Sequence, residues 1–88
     1  MKKTVALGIA MVSEDLLHRL LGALKGSGDQ PLMVKEVAAK ISTSPNTAGK
    51  YVDVAESRGW IRTDYYSTAR RVFLTSKGEA ELARQAAK

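Results

Sequence analysis

The chain of 88 residues has no cysteine and only one histidine, His18. Without thiols it cannot form disulfides, thiolate zinc sites, iron–sulfur clusters or cysteine nucleophiles. A single imidazole argues against a Ser-His-Asp triad and against a multi-histidine metal site. No carboxylate pair, glycine-rich phosphate loop or nucleophile–base set is visible either. The sequence therefore predicts a protein that is not an enzyme and that has no catalytic residue, metal ion or cofactor.

Long hydrophobic runs are also missing. Residues 5–12 are apolar and follow Lys2 and Lys3, as in a secretory signal, but they end at Ser13 without a small-x-small cleavage site. A bilayer span needs about 20 apolar residues, so this run is too short to cross a membrane. We expect residues 1–12 to be an apolar N-terminal extension that packs on the core or on a second copy of the chain. We also expect a cytoplasmic protein without membrane contact.

What the sequence does contain is an excess of positive charge. The net charge is +5, and the pI of about 9.8 meets the rough threshold of about 9 for nucleic-acid-binding domains. Between residues 31 and 75 seven basic side chains outnumber four acidic ones, so most of the excess lies in the middle of the chain. The length suits one small domain, residues 1–88.

Apolar side chains recur at helical spacing in two early segments. Five leucines within residues 14–25 follow Ser13, a suitable N-cap, and predict a core helix that places His18 on the surface. Residues 34–41 repeat apolar side chains at i, i+3, i+4 and i+7 and predict a second, shorter helix.

A third helix is predicted over residues 45–58. Ser44 supplies a hydroxyl cap, and Pro45 suits the first helical position because its missing N–H costs nothing there. Gly59 fits the C-terminal cap. The buried side of this helix is expected to carry Ala48, Tyr51 or Val52, and Ala55.

A β-hairpin and a last helix follow. Residues 60–63 and 71–75 are rich in β-branched and aromatic side chains and predict two strands, with a polar tip between them. Trp60 and Phe73 are expected in the core. The last helix, 76–88, is expected to be capped by Ser76.

Two short helices joined by a short turn make a helix-turn-helix, and a following hairpin makes it a winged one. Three motifs make this specific: residues 44–52 (SPNTAGKYV), 56–61 (ESRGWI) and 73–78 (FLTSKG). In this order they resemble the winged-helix transcription regulators of the MarR and PadR type, over about residues 32 to 82. The resemblance implies an α+β, mainly α, winged helix-turn-helix fold with a three-helix core, a β-hairpin wing and a C-terminal helix.

The resemblance implies a sequence-specific regulator that binds double-stranded DNA. The helix 45–58 would enter the major groove, and the wing, 62–71, would lie on the backbone or the minor groove. Asn46 suits adenine, Lys50 suits guanine or phosphate, and arginines beside hydroxyls suit phosphates. The predicted DNA-contacting residues are Ser44, Asn46, Thr47, Gly49, Lys50, Arg62, Tyr66, Arg70 and Arg71.

Strand geometry separates the two adjacent wing arginines. Successive side chains of a strand point to opposite faces, so only one of Arg70 and Arg71 needs to face DNA, and we favour Arg70 because it is nearer the tip. Asp53 would repel phosphate, so it is expected to lie at the edge of the groove or to pair with a nearby basic residue such as Lys50 or Arg62.

Two positions depart from the family pattern. Met33 stands where a serine or threonine often caps the second helix, and Ser42 stands where the turn often has glycine, so the turn is expected to carry left-handed strain. The chain is also shorter than most MarR-type proteins, so a small-molecule effector is not expected.

One helix contacts only a few base pairs, so we expect a homodimer that presents two helices one DNA turn apart. A repressor is favoured over an activator. Two alternatives stay open: a winged-helix protein-interaction module, and a non-regulatory DNA-binding protein of chromatin, replication or partition.

Overall fold

The computed structural model describes residues 12–28 and 30–87, which form four helices and three strands. In chain order these are α1 (Glu14–Gly26), β1 (Leu32–Met33), α2 (Val34–Lys40), α3 (Pro45–Ser57), β2 (Ile61–Tyr66), β3 (Ala69–Leu74) and α4 (Ser76–Ala86). The predicted α+β, mainly helical, winged helix-turn-helix is confirmed. The prediction for the N-terminal extension falls almost wholly on residues 1–11, outside the described part; Val12 packs against the core.

The core lies where α1, α2 and α3 meet one face of the sheet. Each helix contributes a stripe of apolar side chains, as their spacing predicted. The largest fully buried side chains are Leu17, Leu20, Leu21, Val37, Val52 and Val72. Burial of each such side chain contributes about 1.5–3 kcal/mol to the free energy of folding. Among the described residues, none of the helices combines the length and the apolar composition that crossing a bilayer requires.

The helix caps follow the sequence closely, with one correction. Ser13 Oγ accepts the Leu16 N–H at 3.2 Å, and Ser44 Oγ accepts the Thr47 N–H at 3.2 Å, as predicted. The cap of α4 is Thr75 and not Ser76. Thr75 Oγ1 accepts the Gly78 N–H at 3.0 Å and donates to the Gly59 carbonyl oxygen at 2.7 Å. The second contact fixes Thr75 in place and lets the helix begin at Ser76.

The helix-turn-helix accommodates its two unusual residues. Met33 has no side-chain oxygen, and the Glu36 carboxylate instead accepts the Met33 N–H at 2.8 Å, which satisfies one free donor at the start of α2. Ser42 adopts φ +59°, so the expected left-handed residue in the turn is confirmed. Gly59, at φ +80°, ends α3 as predicted.

The wing is longer than its sequence indicated. The antiparallel strands β2 and β3 meet in a two-residue turn, Ser67–Thr68, and β1 pairs with the other edge of β3. The predicted strands 60–63 and 71–75 were therefore too short: most of the segment assigned to the tip is paired. Its two tyrosines, Tyr65 and Tyr66, are good strand residues, although the polarity of the segment as a whole is typical of a loop. Strand β1 was not predicted, because two residues are too few to show the alternation of apolar and polar side chains that is typical of a strand.

Side-chain alternation in β3 also corrects the prediction for Phe73. Val72 is fully buried, so Phe73 lies on the opposite, outer face of the sheet, where the Arg62 guanidinium lies 4.1 Å from its ring centroid. Trp60 is half-buried and packs against the core.

The prediction that His18 lies on the surface is wrong, because its side chain is mostly buried. Its Nε2 donates to Glu81 Oε2 at 2.7 Å, and the two side chains are only 13% and 10% exposed. The imidazole also lies 5.8 Å from the Trp60 ring. His18 therefore joins α1 to α4, an arrangement that the spacing of leucines in α1 does not reveal.

Acid is expected to weaken the contact between α1 and α4. Hydrogen bonds from Arg84 and His18 lower the pKa of Glu81 from 4.5 to about 2. A carboxyl with a lowered folded-state pKa stabilises the fold above its unfolded pKa, and this contribution is lost as the pH falls from about 4.5 towards 2. We therefore expect Glu81→Gln to have a lower free energy of unfolding than the wild type at pH 6, and we expect this difference between the two proteins to become smaller below pH 4.5. Urea unfolding of both proteins between pH 2 and 6 measures the two free energies. A difference in free energy that did not change with pH would contradict the prediction.

Candidate nucleic-acid interface

Helix α3 has one buried and one exposed face. Its buried residues are Ala48, Tyr51, Val52 and Ala55. The prediction gave Tyr51 and Val52 as alternatives, and both are in the core. The Tyr51 hydroxyl accepts the Ser13 N–H at 2.8 Å and thereby joins α3 to the start of α1. The opposite face exposes Asn46, Lys50, Asp53 and Ser57 at spacings of three and four residues. These four polar residues, called the exposed stripe below, are presented outward because the other side of α3 is packed.

The start of α3 holds three of the predicted contact residues together. The Ser44 hydroxyl accepts the Thr47 N–H and donates to Thr47 Oγ1 at 3.1 Å. Asn46 lies beside this pair and is exposed. The cap therefore fixes two hydroxyls next to one free carboxamide.

Gly49 lies on α3 with open space beside it. A Cβ atom built there would meet no atom within 4 Å. Glycine in a helix costs about 1 kcal/mol relative to alanine. Packing among the described residues therefore gives no reason for glycine at this position.

Lys50 lies in the middle of the exposed stripe and takes no part in the ion pairs formed by the described residues. Asp53 pairs with a nearby basic residue, which was one of the two alternatives, but that residue is Arg70 and neither of the two named as examples. Asp53 Oδ1 accepts from Arg70 Nη2 at 2.7 Å, because the long hairpin brings β3 alongside α3. The ammonium group of Lys50 is thus left available.

Arg70 and Arg71 point to opposite faces of the wing, as strand alternation predicted. Arg70 faces α3: besides Asp53, it donates to Glu56 Oε1 at 3.2 Å, and its side chain is 21% exposed. Thr63 Oγ1 donates to the other oxygen of Glu56 at 2.9 Å. Sequence reasoning missed Glu56 and Thr63, although Glu56 follows Asp53 by one helical turn.

On the outer face of the wing, Arg71 makes a bidentate contact with Asp64. Its Nε and Nη2 donate to the two carboxylate oxygens at 2.8 and 2.9 Å. The hydrogen bonds from Arg71 lower the pKa of Asp64, and those same bonds raise the pKa of the guanidinium. The Arg71 guanidinium also lies 5.2 Å from the Tyr66 ring centroid.

Arg62 differs from the other two wing arginines. Its guanidinium lies over the Phe73 ring, 4.1 Å from the ring centroid, and it is in none of the ion pairs within residues 12–28 and 30–87. Stacking on a ring leaves the edge N–H groups of a guanidinium available as donors. The contact with Phe73 therefore fixes the position of the Arg62 guanidinium. The exposed stripe and the wing together form a polar surface with two unpaired cations, Lys50 and Arg62.

Solved structures of several transcription regulators have a fold similar to that of this chain. No family model and no curated protein matches the sequence. Among solved structures, a MarR family transcriptional regulator from Silicibacter pomeroyi DSS shares 29% identity over 92% of this chain and 56% of its own, with a TM-score of 0.72. MepR, a transcription regulator of the Staphylococcus aureus multidrug efflux pump MepA, shares 14% identity over 93% and 61%, with a TM-score of 0.77.

A third similar structure is Bordetella bronchiseptica BpsR, whose DNA binding is regulated by 6-hydroxynicotinic acid. It shares 17% identity over 81% of this chain and 50% of its own, with a TM-score of 0.73. The present chain thus spans between 50% and 61% of the length of these three proteins. The resemblance to MarR-type winged-helix regulators is confirmed in the fold.

Proposed function

We propose that this chain is a transcription regulator that binds double-stranded DNA in a sequence-specific manner. The exposed stripe of α3 carries the proposal, because a helix with one packed face and one polar face fits a major groove about 12 Å wide. The wing lies alongside α3 and is tied to it by Arg70. In the proposed complex α3 occupies the major groove and the wing lies on the backbone or the minor groove.

The residues of α3 have distinct proposed roles. Asn46 pairs with the edge of an adenine, and Lys50 contacts a guanine or a phosphate. Thr47 donates its hydroxyl hydrogen to a phosphate, and Ser44, whose own hydroxyl hydrogen goes to Thr47 Oγ1, holds that hydroxyl in place. Gly49 allows the helix backbone to approach DNA closely, since no packing within the described residues requires it.

The wing arginines are proposed to act differently from one another. Arg62 contacts phosphate directly, because its guanidinium has no carboxylate partner among the described residues. Arg70 and Arg71 are held by carboxylates, so their proposed role near DNA includes the positioning of the wing.

We further propose a homodimeric repressor. Two copies would present two α3 helices about 34–36 Å apart, one turn of B-DNA, to a palindromic site. A repressor needs no surface beyond one that occupies DNA. The proposed mechanism requires no small-molecule effector, although 6-hydroxynicotinic acid regulates DNA binding by BpsR.

Selection from a random pool of duplex DNA tests the proposed function. A palindromic motif would support both sequence-specific binding and two-fold symmetry. A motif without symmetry would contradict the homodimer alone. No enrichment would contradict sequence-specific binding, and no binding to any duplex would favour a protein-interaction module. Binding sites spread over a whole genome, and not confined to promoters, would favour the non-regulatory alternative.

Lys50→Ala is expected to weaken binding to the selected motif about tenfold or more and to change the base preference at one position. Lys50 is the unpaired cation of the exposed stripe, and one good base contact contributes about 1–3 kcal/mol. Titration of fluorescent duplexes that carry each base at each position measures both effects.

Lys40→Ala is the matched control for Lys50→Ala. It removes the same charge from a cleft that Lys40 shares with Arg19 and Ala23 of α1. Equal losses from the two substitutions would show that the exposed stripe is not the face that contacts DNA.

A further inference from the structure

The tip of the wing presents two tyrosines to solvent. Tyr65 and Tyr66 are the last residues of β2 and immediately precede the two-residue turn. They are 69% and 67% exposed, the highest values among the large hydrophobic side chains of the described residues. Because they are adjacent in a strand, their rings point to opposite faces of the hairpin. The tip therefore projects an aromatic ring on each side.

The arginines nearest this tip are already neutralised. Arg70 is held by Asp53 and Glu56, and Arg71 is held by Asp64. Both guanidiniums keep N–H groups that these carboxylates do not use, but a DNA phosphate bound there would lie close to the carboxylates and be repelled by them. The uncharged donors at the tip are the two phenol groups, which lie on apolar rings, and the hydroxyls of the turn residues Ser67 and Thr68.

One of these arginines also contacts a tyrosine of the tip. The Arg71 guanidinium lies 5.2 Å from the Tyr66 ring centroid, whereas Tyr65 is the direct strand partner of Arg70. The cation–π contact restricts the Tyr66 ring, and most of each tyrosine side chain stays exposed.

We propose that the wing tip contacts the DNA minor groove through Tyr65 and Tyr66, and not through a free arginine. The proposal rests on the proposed DNA-binding function. The minor groove is about 6 Å wide and offers the same acceptors, adenine N3 and thymine O2, at every A·T pair. A phenol can donate to such an acceptor or to a phosphate, and its ring packs against the sugars, as apolar wedges do in other minor-groove complexes.

The contacts between wing and helix place the tip correctly for this role. Arg70 joins the tip end of β3 to Asp53, which belongs to the exposed stripe of α3. The tip and the exposed stripe therefore lie on the same side of the protein. With α3 in the major groove, the tip is directed at the adjacent minor groove.

The test is the double variant Tyr65→Ala/Tyr66→Ala, bound to the selected duplex over a range of salt concentrations. We expect a loss of affinity of about tenfold at every salt concentration. The slope of log K against log [salt] should not change, because a phenol releases no counterions. Hydroxyl-radical protection should disappear only in the flanking minor grooves. Both rings are exposed, so the melting temperature should stay close to that of the wild type.

Met33→Ala is the matched control, because Met33 is 39% exposed and lies on β1, away from the tip. This variant should bind DNA with the affinity of the wild type. An unchanged affinity of the tyrosine variant, a reduced salt slope, or an unchanged footprint would each overturn the proposal. A wild-type chain that bound no duplex would instead refute the proposed function, and this inference with it.

Discussion

Alanine at position 78 is expected to destabilise the fold by about 2–4 kcal/mol. Gly78 is buried near the start of α4. A Cβ atom there would overlap the carbonyl oxygen of Trp60 and lie 2.8 Å from Leu74 Cδ1. The Trp60 carbonyl cannot move freely, since it accepts the Thr75 N–H at 3.1 Å. The substitution must therefore separate α4 from the base of the wing.

Glycine 22 provides the control for this substitution. It also lies within a helix, but a Cβ atom there would meet nothing within 4 Å. Gly22→Ala should therefore raise the free energy of unfolding by up to about 1 kcal/mol through helix propensity alone. Chemical denaturation of both variants and the wild type gives the comparison. If Gly78→Ala were as stable as Gly22→Ala, the described packing of α4 against Trp60 would be wrong.

The stated loss is large for a domain of this size. A stability of about 0.05–0.15 kcal/mol per residue gives the chain roughly 4–13 kcal/mol in total. Gly78→Ala would remove a substantial fraction of this, and DNA binding would fail with the fold. The glycine of the Leu-Thr-x-x-Gly motif is thus explained by the close approach of α4 to the backbone of Trp60.

The second large effect is expected from the salt concentration, which should change the affinity of the protein for duplex DNA. If Lys50 and Arg62 of two copies together neutralise about four phosphates, duplex affinity should fall on the order of 10²-fold between 50 and 200 mM salt, because each contact releases condensed counterions. The measurement is an equilibrium titration of the selected duplex at several salt concentrations. A flat dependence would be incompatible with the proposed function.

The same titration separates the wing arginines. Arg62 has no carboxylate partner among the described residues, so Arg62→Met should reduce the salt slope by about one for each protomer. The double tyrosine variant should leave this slope unchanged. If the Arg62 variant kept the wild-type slope, the outer face of the wing would not meet phosphate.

The local features of the interface could be predicted from the sequence. Ser44 and Pro45 fix the start of α3, because the cap and the proline act within one helical turn. Gly59 fixes its end for the same reason. The opposite orientation of Arg70 and Arg71 follows from strand alternation alone. Each of these depends on neighbours only a few residues away.

Features that depend on distant contacts could not be predicted. Asp53 and Arg70 are 17 residues apart, and their ion pair depends on the length and angle of the wing. His18 and Glu81 are 63 residues apart and meet only because α4 returns to α1. Phe73 was assigned to the core because its hydrophobicity does not show which strand face it occupies. The paired tip was missed because exposed tyrosine and arginine suit a loop as well as a strand.

The wing is attached to the rest of the domain at two separate points. Thr75 joins its base to Gly59, and Arg70 joins it to α3 close to the tip. A wing that is held at both points is expected to move less than one that is held only at its base. In the proposed complex, less conformational entropy is then lost on association. Adjustment to different DNA sequences falls to exposed side chains such as Lys50 more than to movement of the wing.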